Sequence, residues 1–279
     1  MKLMTDIYGK EQADQRVPLL VSSVSVGNIF GILLSSYLVA TFGVRSAFLV
    51  PGAMTVLMGV LSSCLLPRTA LREKAENQSL PFGKLLRNRS IRKMVLPAMF
   101  HGAMKDNISL WMAVYFLDTF GVDLEQSAWY VLLIPVVGLV GRLLYPACYR
   151  ILKKSENRLS AICFILCGVM GLLLCFEINS PWFAAICLSL IYAFVSMINT
   201  SILSIFPLHF AQDNMVASIS GITDFATYLG AGIASVAYGF LVEHTADGYR
   251  IMFLSWIIIS VVSAWILCAK KYEKAEAAQ

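Results

Sequence analysis

The residues best suited to chemistry stand in one apolar run, Met94 to Leu117, where Lys105 adjoins Asp106, follows His101 by four positions and precedes Trp111 and Tyr115. Lys105 lies about twelve residues into this run, so ~18 Å along a helix rising ~1.5 Å per residue, near the middle of a bilayer. A charge at that depth costs at least ~2.5 kcal/mol on insertion scales, and ionisable groups there usually face a cavity or a partner. An ammonium is a compact point charge without the bidentate fork of arginine, which suits it to attracting a small anionic solute. The competing reading is an internal pair with an acid. Asp106 is adjacent, roughly 100° round the helix. Asp224, near the midplane of a later run, is the expected partner or proton carrier.

His101 shares a helix face with Lys105, so its protonated form would add positive charge to the site or repel Lys105. A second polar set, Tyr192, Ser196, Asn199, Thr200 and Ser204, follows a helical stripe that should face the protein interior. Tyr192 and Asn199 there either line a cavity or join helices by hydrogen bonds. Trp111 and Tyr115, spaced i,i+4, wall a pocket on one reading and simply pack on the other. Arg142 and Glu177 read as structural residues near span ends, where long side chains reach the interface.

Other chemistries lack their residues. No G-x-x-x-x-G-K-[ST] phosphate loop, H-E-x-x-H motif or convincing nucleophile and base pair is present, so neither ATP-driven transport within this chain nor an enzyme is expected. All seven cysteines sit in or at the edge of apolar runs, where Cys is a small hydrophobe. Cys163 and Cys167 share a face but have no His or acidic neighbours, so no metal or other cofactor is expected.

The elements that must hold these residues are membrane helices. With 58% hydrophobic and 14% charged residues and a mean hydropathy of +0.72, the chain has too little polar surface for a soluble globule. Eight runs have the ~17 to 25 residues that a hydrocarbon core requires: Val17 to Thr41, Ala47 to Leu66, Met94 to Leu117, Trp129 to Tyr149, Leu159 to Ile178, Trp182 to Phe206, Met215 to Val242 and Ile251 to Cys268. The fold class expected is all-α and polytopic.

Lys and Arg fall on alternate connections: the N-terminal stretch, the loop from Arg68 to Lys93, the turn from Arg150 to Arg158 and the tail. The opposite loops offer only Arg45 and Arg250. The positive-inside rule then puts both termini in the cytoplasm. The net charge of +5 follows from that orientation, without nucleic acid as a partner. The first run lacks the features of a cleaved signal peptide.

Pro67 to Arg92 is the one sizeable polar stretch, read as a cytoplasmic linker with a short amphipathic helix around Phe82 to Leu86. The expected division is a two-helix unit over 1–66, the linker over 67–92 and a six-helix unit over 93–279. A repeat relates them: Gly43-Val-Arg45-Ser-Ala-Phe48 opens the second run and Gly248-Tyr-Arg250-Ile-Met-Phe253 the eighth. Sixteen residues before each motif stands a glycine, Gly27 and Gly232, expected to allow close backbone approach. Repeated halves are a common design of secondary transporters.

On these motifs the chain resembles the major facilitator superfamily, whose twelve helices form two six-helix halves. The stretch from Lys10 to Arg16 looks like that family's loop before helix five, and the two G-x-R-x-x-F motifs look like its entries to helices six and twelve. The resemblance implies helices five to twelve, with helices one to four absent here or supplied by upstream sequence or another chain. Lys105, Trp111 and Tyr115 further resemble helix seven of the organophosphate:phosphate antiporter branch, in which a basic residue binds substrate phosphate. The chain departs from that branch in having Lys105 for Arg, Val24 for a helix-five His, and Arg150 where an Asp is usual. The function implied is alternating-access transport of a small anionic solute across the cell membrane by a symporter or antiporter. The alternative of another class is a non-transporting membrane sensor or scaffold, or an inactive fragment.

Overall fold

A computed structural model describes residues 2–65, 85, 87–176, 180–211, 213 and 215–269, with side chains described from Val17 onward save 18, 19 and 124. Among the described residues eight α-helices follow in chain order: α1 Lys2–Phe42, α2 Ser46–Leu65, α3 Arg89–Phe120, α4 Leu124–Ile151, α5 Glu156–Leu174, α6 Pro181–Asn199, α7 Val216–His244 and α8 Gly248–Cys268. Each of the eight expected runs is helical over most of its described residues. Among the described residues seven helices contain a stretch long and apolar enough to cross a membrane; the exception is α3, which carries Lys105, Asp106 and Asn107 at mid-length. Most of the expected linker, including the segment around Phe82 to Leu86 apart from Leu85, lies outside the described residues, as does Glu177.

Local chemistry sets the helix ends. The Asn88 side chain accepts from the Ser90 amide at 2.9 Å, and the Asp123 carboxylate from the Gln126 amide at 2.8 Å, satisfying amides that have no carbonyl in the first turn. Gly121 ends α3 in the left-handed region at φ 61°, a conformation glycine adopts without a Cβ penalty, and returns the chain into α4 within three residues. Beyond Asn199 the α6 helix widens into a π turn, Thr200–Ile205, and then tightens into a 3₁₀ turn, Phe206–Phe210. Such insertions re-aim side chains and recur at functional positions.

Helices α3 to α8 form one bundle, with α3 against α7, α5 against α8 and α4 against α6 as its main pairs; α1 lies along α4, and α2 packs chiefly on α1. Small residues permit the closest pairs. A methyl on Gly102 of α3 would overlap the Thr227 carbonyl of α7, and one on Gly230 of α7 would overlap the Met99 carbonyl. On α4, a Cβ at Gly138 would meet the Tyr192 ring at 2.6 Å and one at Gly141 the Ala193 carbonyl at 2.7 Å. Gly27 and Gly232, expected to serve this purpose, have nothing within 4 Å. Their helix faces point outward, so the close approach is made elsewhere. Outward apolar side chains such as Leu143, Leu144, Val236 and Ile258 give the bundle the surface a hydrocarbon solvent requires.

Candidate functional site

Lys105 falls at the midpoint of the 32-residue helix α3. Its ammonium lies 3.1 Å from the Asp106 carboxylate and 6.0 Å from the centre of the Tyr228 ring on α7; the two charged side chains are 17% and 35% exposed. The sequence favours Asp224 as the partner, and here the structure differs. The flexible lysine stem spans the angular offset between neighbours, so the ion pair goes to Asp106. Asp224 is exposed on α7 one turn before Tyr228, within electrostatic reach of Lys105 but not in ion-pair contact with it. Lys105, Asp106, Asp224 and Tyr228 thus form one polar patch on the α3–α7 seam.

His101 lies four residues before Lys105 and is completely buried. Neither ring nitrogen has a hydrogen-bond partner; the ring faces the Val195 carbonyl of α6 without reaching hydrogen-bond geometry. Charges on both Lys105 and Arg142 act on it. Tyr192 is buried against Gly138, and Asn199 is half-buried at the point where α6 widens into its π turn. Ser196, Thr200 and Ser204 of the same stripe are buried too.

The aromatic pair separates. Trp111 is half-buried against α7, where a Cβ at Gly239 would lie 3.3 Å from its ring, and its indole N–H has no acceptor. Tyr115, 4% exposed, enters an edge-to-face cluster with Phe120, Tyr249 and Phe253 at centroid distances of 5.7, 5.1 and 5.4 Å. That geometry is packing, worth ~0.5–1.5 kcal/mol per pair beyond burial. A crevice of about 450 Å³ lies elsewhere, between Trp129, Tyr130 and Val136 of α4 and Trp182 of α6; its lining has no charged side chain.

Arg142 is the residue that sequence reasoning placed wrongly. Helix α4 continues more than two turns beyond it, to Ile151, so it does not reach an interface. It is 1% exposed and donates from Nη1 to the Val21 carbonyl of α1 at 3.3 Å, while its Nε has no acceptor. The signal available in the sequence was the spacing Gly138, Gly141, Arg142, which puts a guanidinium beside the tight face of α4 rather than toward lipid.

Long apolar helices packed against one another, with Lys105 and Asp106 at mid-length of α3 and Arg142 buried on α4, are what a membrane-spanning protein with a polar interior requires. The protein-family model described as Major Facilitator Superfamily matches residues 1–235, and the chain belongs to that family. It is accordingly a membrane protein that moves a small-molecule solute across a lipid bilayer. No curated protein matches the chain.

Proposed function

We propose that the protein is a secondary active transporter of a small anionic solute, an organophosphate or another organic anion, working by alternating access in the plasma membrane with both termini cytoplasmic. The observation that carries this reading is the placement of Lys105 at mid-helix, only 17% exposed and held by a carboxylate that a solute anion can replace. Exchange of Asp106 for a solute oxyanion keeps the ammonium paired throughout, which avoids the cost of a bare charge at that depth. The Tyr228 ring offers the cation a second face while the carboxylates exchange. Asp224, exposed beside this patch, is assigned the coupling proton. The basic loops support the orientation, and the run Lys105, Trp111, Tyr115 supports the organophosphate:phosphate antiporter branch, with Trp111 and Tyr115 assigned to helix packing beside the site.

The test is flux of radiolabelled phosphate and glycerol phosphate into proteoliposomes containing the full chain, with Lys105→Ala alongside. Loss of anion-driven flux with normal insertion supports the assignment. Equal flux in the variant removes Lys105 from the site, and absence of flux for every anion in the unaltered protein favours a sensor or scaffold.

A further inference from the structure

The ion pair between Lys105 and Asp106 is electrically neutral and supplies no net counter-charge to other buried groups. Arg142 is buried in the same bundle, and among the described residues no carboxylate lies within ion-pair distance of its guanidinium. Its one hydrogen bond is to the neutral Val21 carbonyl. A desolvated cation is costly unless an opposite charge or a full set of acceptors surrounds it.

The surrounding polar atoms are also incomplete. Ser25 of α1, one turn beyond Val21, is fully buried with no partner for its hydroxyl. Both ring nitrogens of His101 on α3 lack partners, and its ring lies in the field of Arg142. Ser196 of α6 has an unpartnered hydroxyl 3.4 Å from where a Cβ on Gly138 would stand, and Gly138 is one turn before Arg142. Tyr192, on the turn before Ser196, is within electrostatic reach of the guanidinium. Three helices besides α4 therefore carry unsatisfied buried polar atoms near the segment of α4 that holds this cation. Native interiors satisfy nearly all such groups, and a cluster of exceptions marks a place where something else completes the bonding.

We propose that Arg142 is an oxyanion-binding site in its own right, in which a carboxylate or phosphate oxygen pair takes the guanidinium fork and the hydroxyls of Ser25, Ser196 and Tyr192 supply further donors. His101 in its neutral form would donate one more hydrogen bond. This rests on the anionic-solute reading and adds to it: Arg142 is the anchor for the anion, and Lys105 on α3 is the exchangeable cation. Helix α1 contributes to the site through Val21 and Ser25, so an anion seated there joins α1 to the six-helix bundle.

The test is calorimetric titration of the full chain, in uncharged detergent, with inorganic phosphate and with acetate. The variants are Arg142→Lys, Arg142→Gln, Ser196→Ala and Lys105→Ala. Arg142→Lys retains the charge but loses the fork, so phosphate affinity should fall at least about 30-fold, with a larger loss in Arg142→Gln. Ser196→Ala removes only an unpartnered hydroxyl, leaves the packing in place and should weaken phosphate about 3- to 10-fold. Unchanged phosphate affinity in Arg142→Lys and Ser196→Ala overturns the proposal and makes the region a water-filled polar pocket; if Lys105→Ala alone then loses binding, the Lys105 reading survives. Loss in the Arg142 variants with full affinity in Lys105→Ala upholds Arg142 and removes Lys105. Absence of binding by either anion to the unaltered protein overturns both. The phosphate-to-acetate ratio reports which oxyanion the fork prefers.

Discussion

Gly102 of α3 lies directly against the backbone of Thr227 on α7, so close that a single methyl at Gly102 would overlap the Thr227 carbonyl oxygen. The contact sets the spacing of the two helices that carry Lys105 and Asp224. Its counterpart, one turn away on the opposite partner, is Gly230 against Met99.

Gly102→Ala is therefore expected to force α3 and α7 apart and to lower stability by ~1–3 kcal/mol, since an added methyl in a close-packed seam must be met by backbone movement. Gly232→Ala, on the outward face with open space around it, should stay within about 0.5 kcal/mol of the unaltered protein. Thermal unfolding in detergent distinguishes the two. Equal melting temperatures would show that the α3–α7 seam is looser than its geometry indicates.

The two candidate acids should separate by assay. Asp106→Asn removes the carboxylate that competes with the solute for Lys105 and should tighten anion binding about 3- to 10-fold, the effect of deleting one half-exposed ion pair. Asp224→Asn should leave binding near normal and abolish dependence of uptake on a pH gradient, with exchange preserved. Titration calorimetry and proton-driven flux read these separately; the reverse pattern would exchange the two roles.

Glu156, at the first turn of α5, is buried and pairs with His209 beyond the π turn of α6 at 3.0 Å. This joins the start of one helix to the end of the next through a charge-assisted bond. Glu156→Gln should cost ~1–3 kcal/mol of stability, because the replacement keeps the shape but not the charge. A melting temperature within a degree of the unaltered protein would assign the pair a negligible share.

The helical class and the mid-depth position of Lys105 were legible before folding, because each rests on local composition. Run length and apolarity specify a membrane helix at each of the eight places, while the caps Asn88, Asp123 and Ser155 start three of them several residues before the apolar runs do. Lys105 is conspicuous because a lysine so deep in an apolar run is costly wherever the helix turns. Its partner was not legible. Whether a four-carbon stem bends to the adjacent Asp106 or reaches across to Asp224 depends on the distance between α3 and α7, which Gly102 and Gly230 set.

The same limit explains the misplaced glycines and Arg142. Gly27 and Gly232 stand at matching distances from a repeated motif, but periodicity says only which residues share a face and not which face meets a neighbour. Arg142 looked peripheral because a long charged side chain in an apolar run is expected to reach toward the interface; instead Gly138 and Gly141 bring α6 close to α4, and the guanidinium is buried between helices. The sequence by itself determined that the chain is a set of membrane helices with a charge at mid-depth, since transfer energies act residue by residue. Only the tertiary structure decided which charges meet and which is left without a counter-ion, since that depends on helix rotation and interaxial distance, quantities set by contacts between residues far apart in the chain.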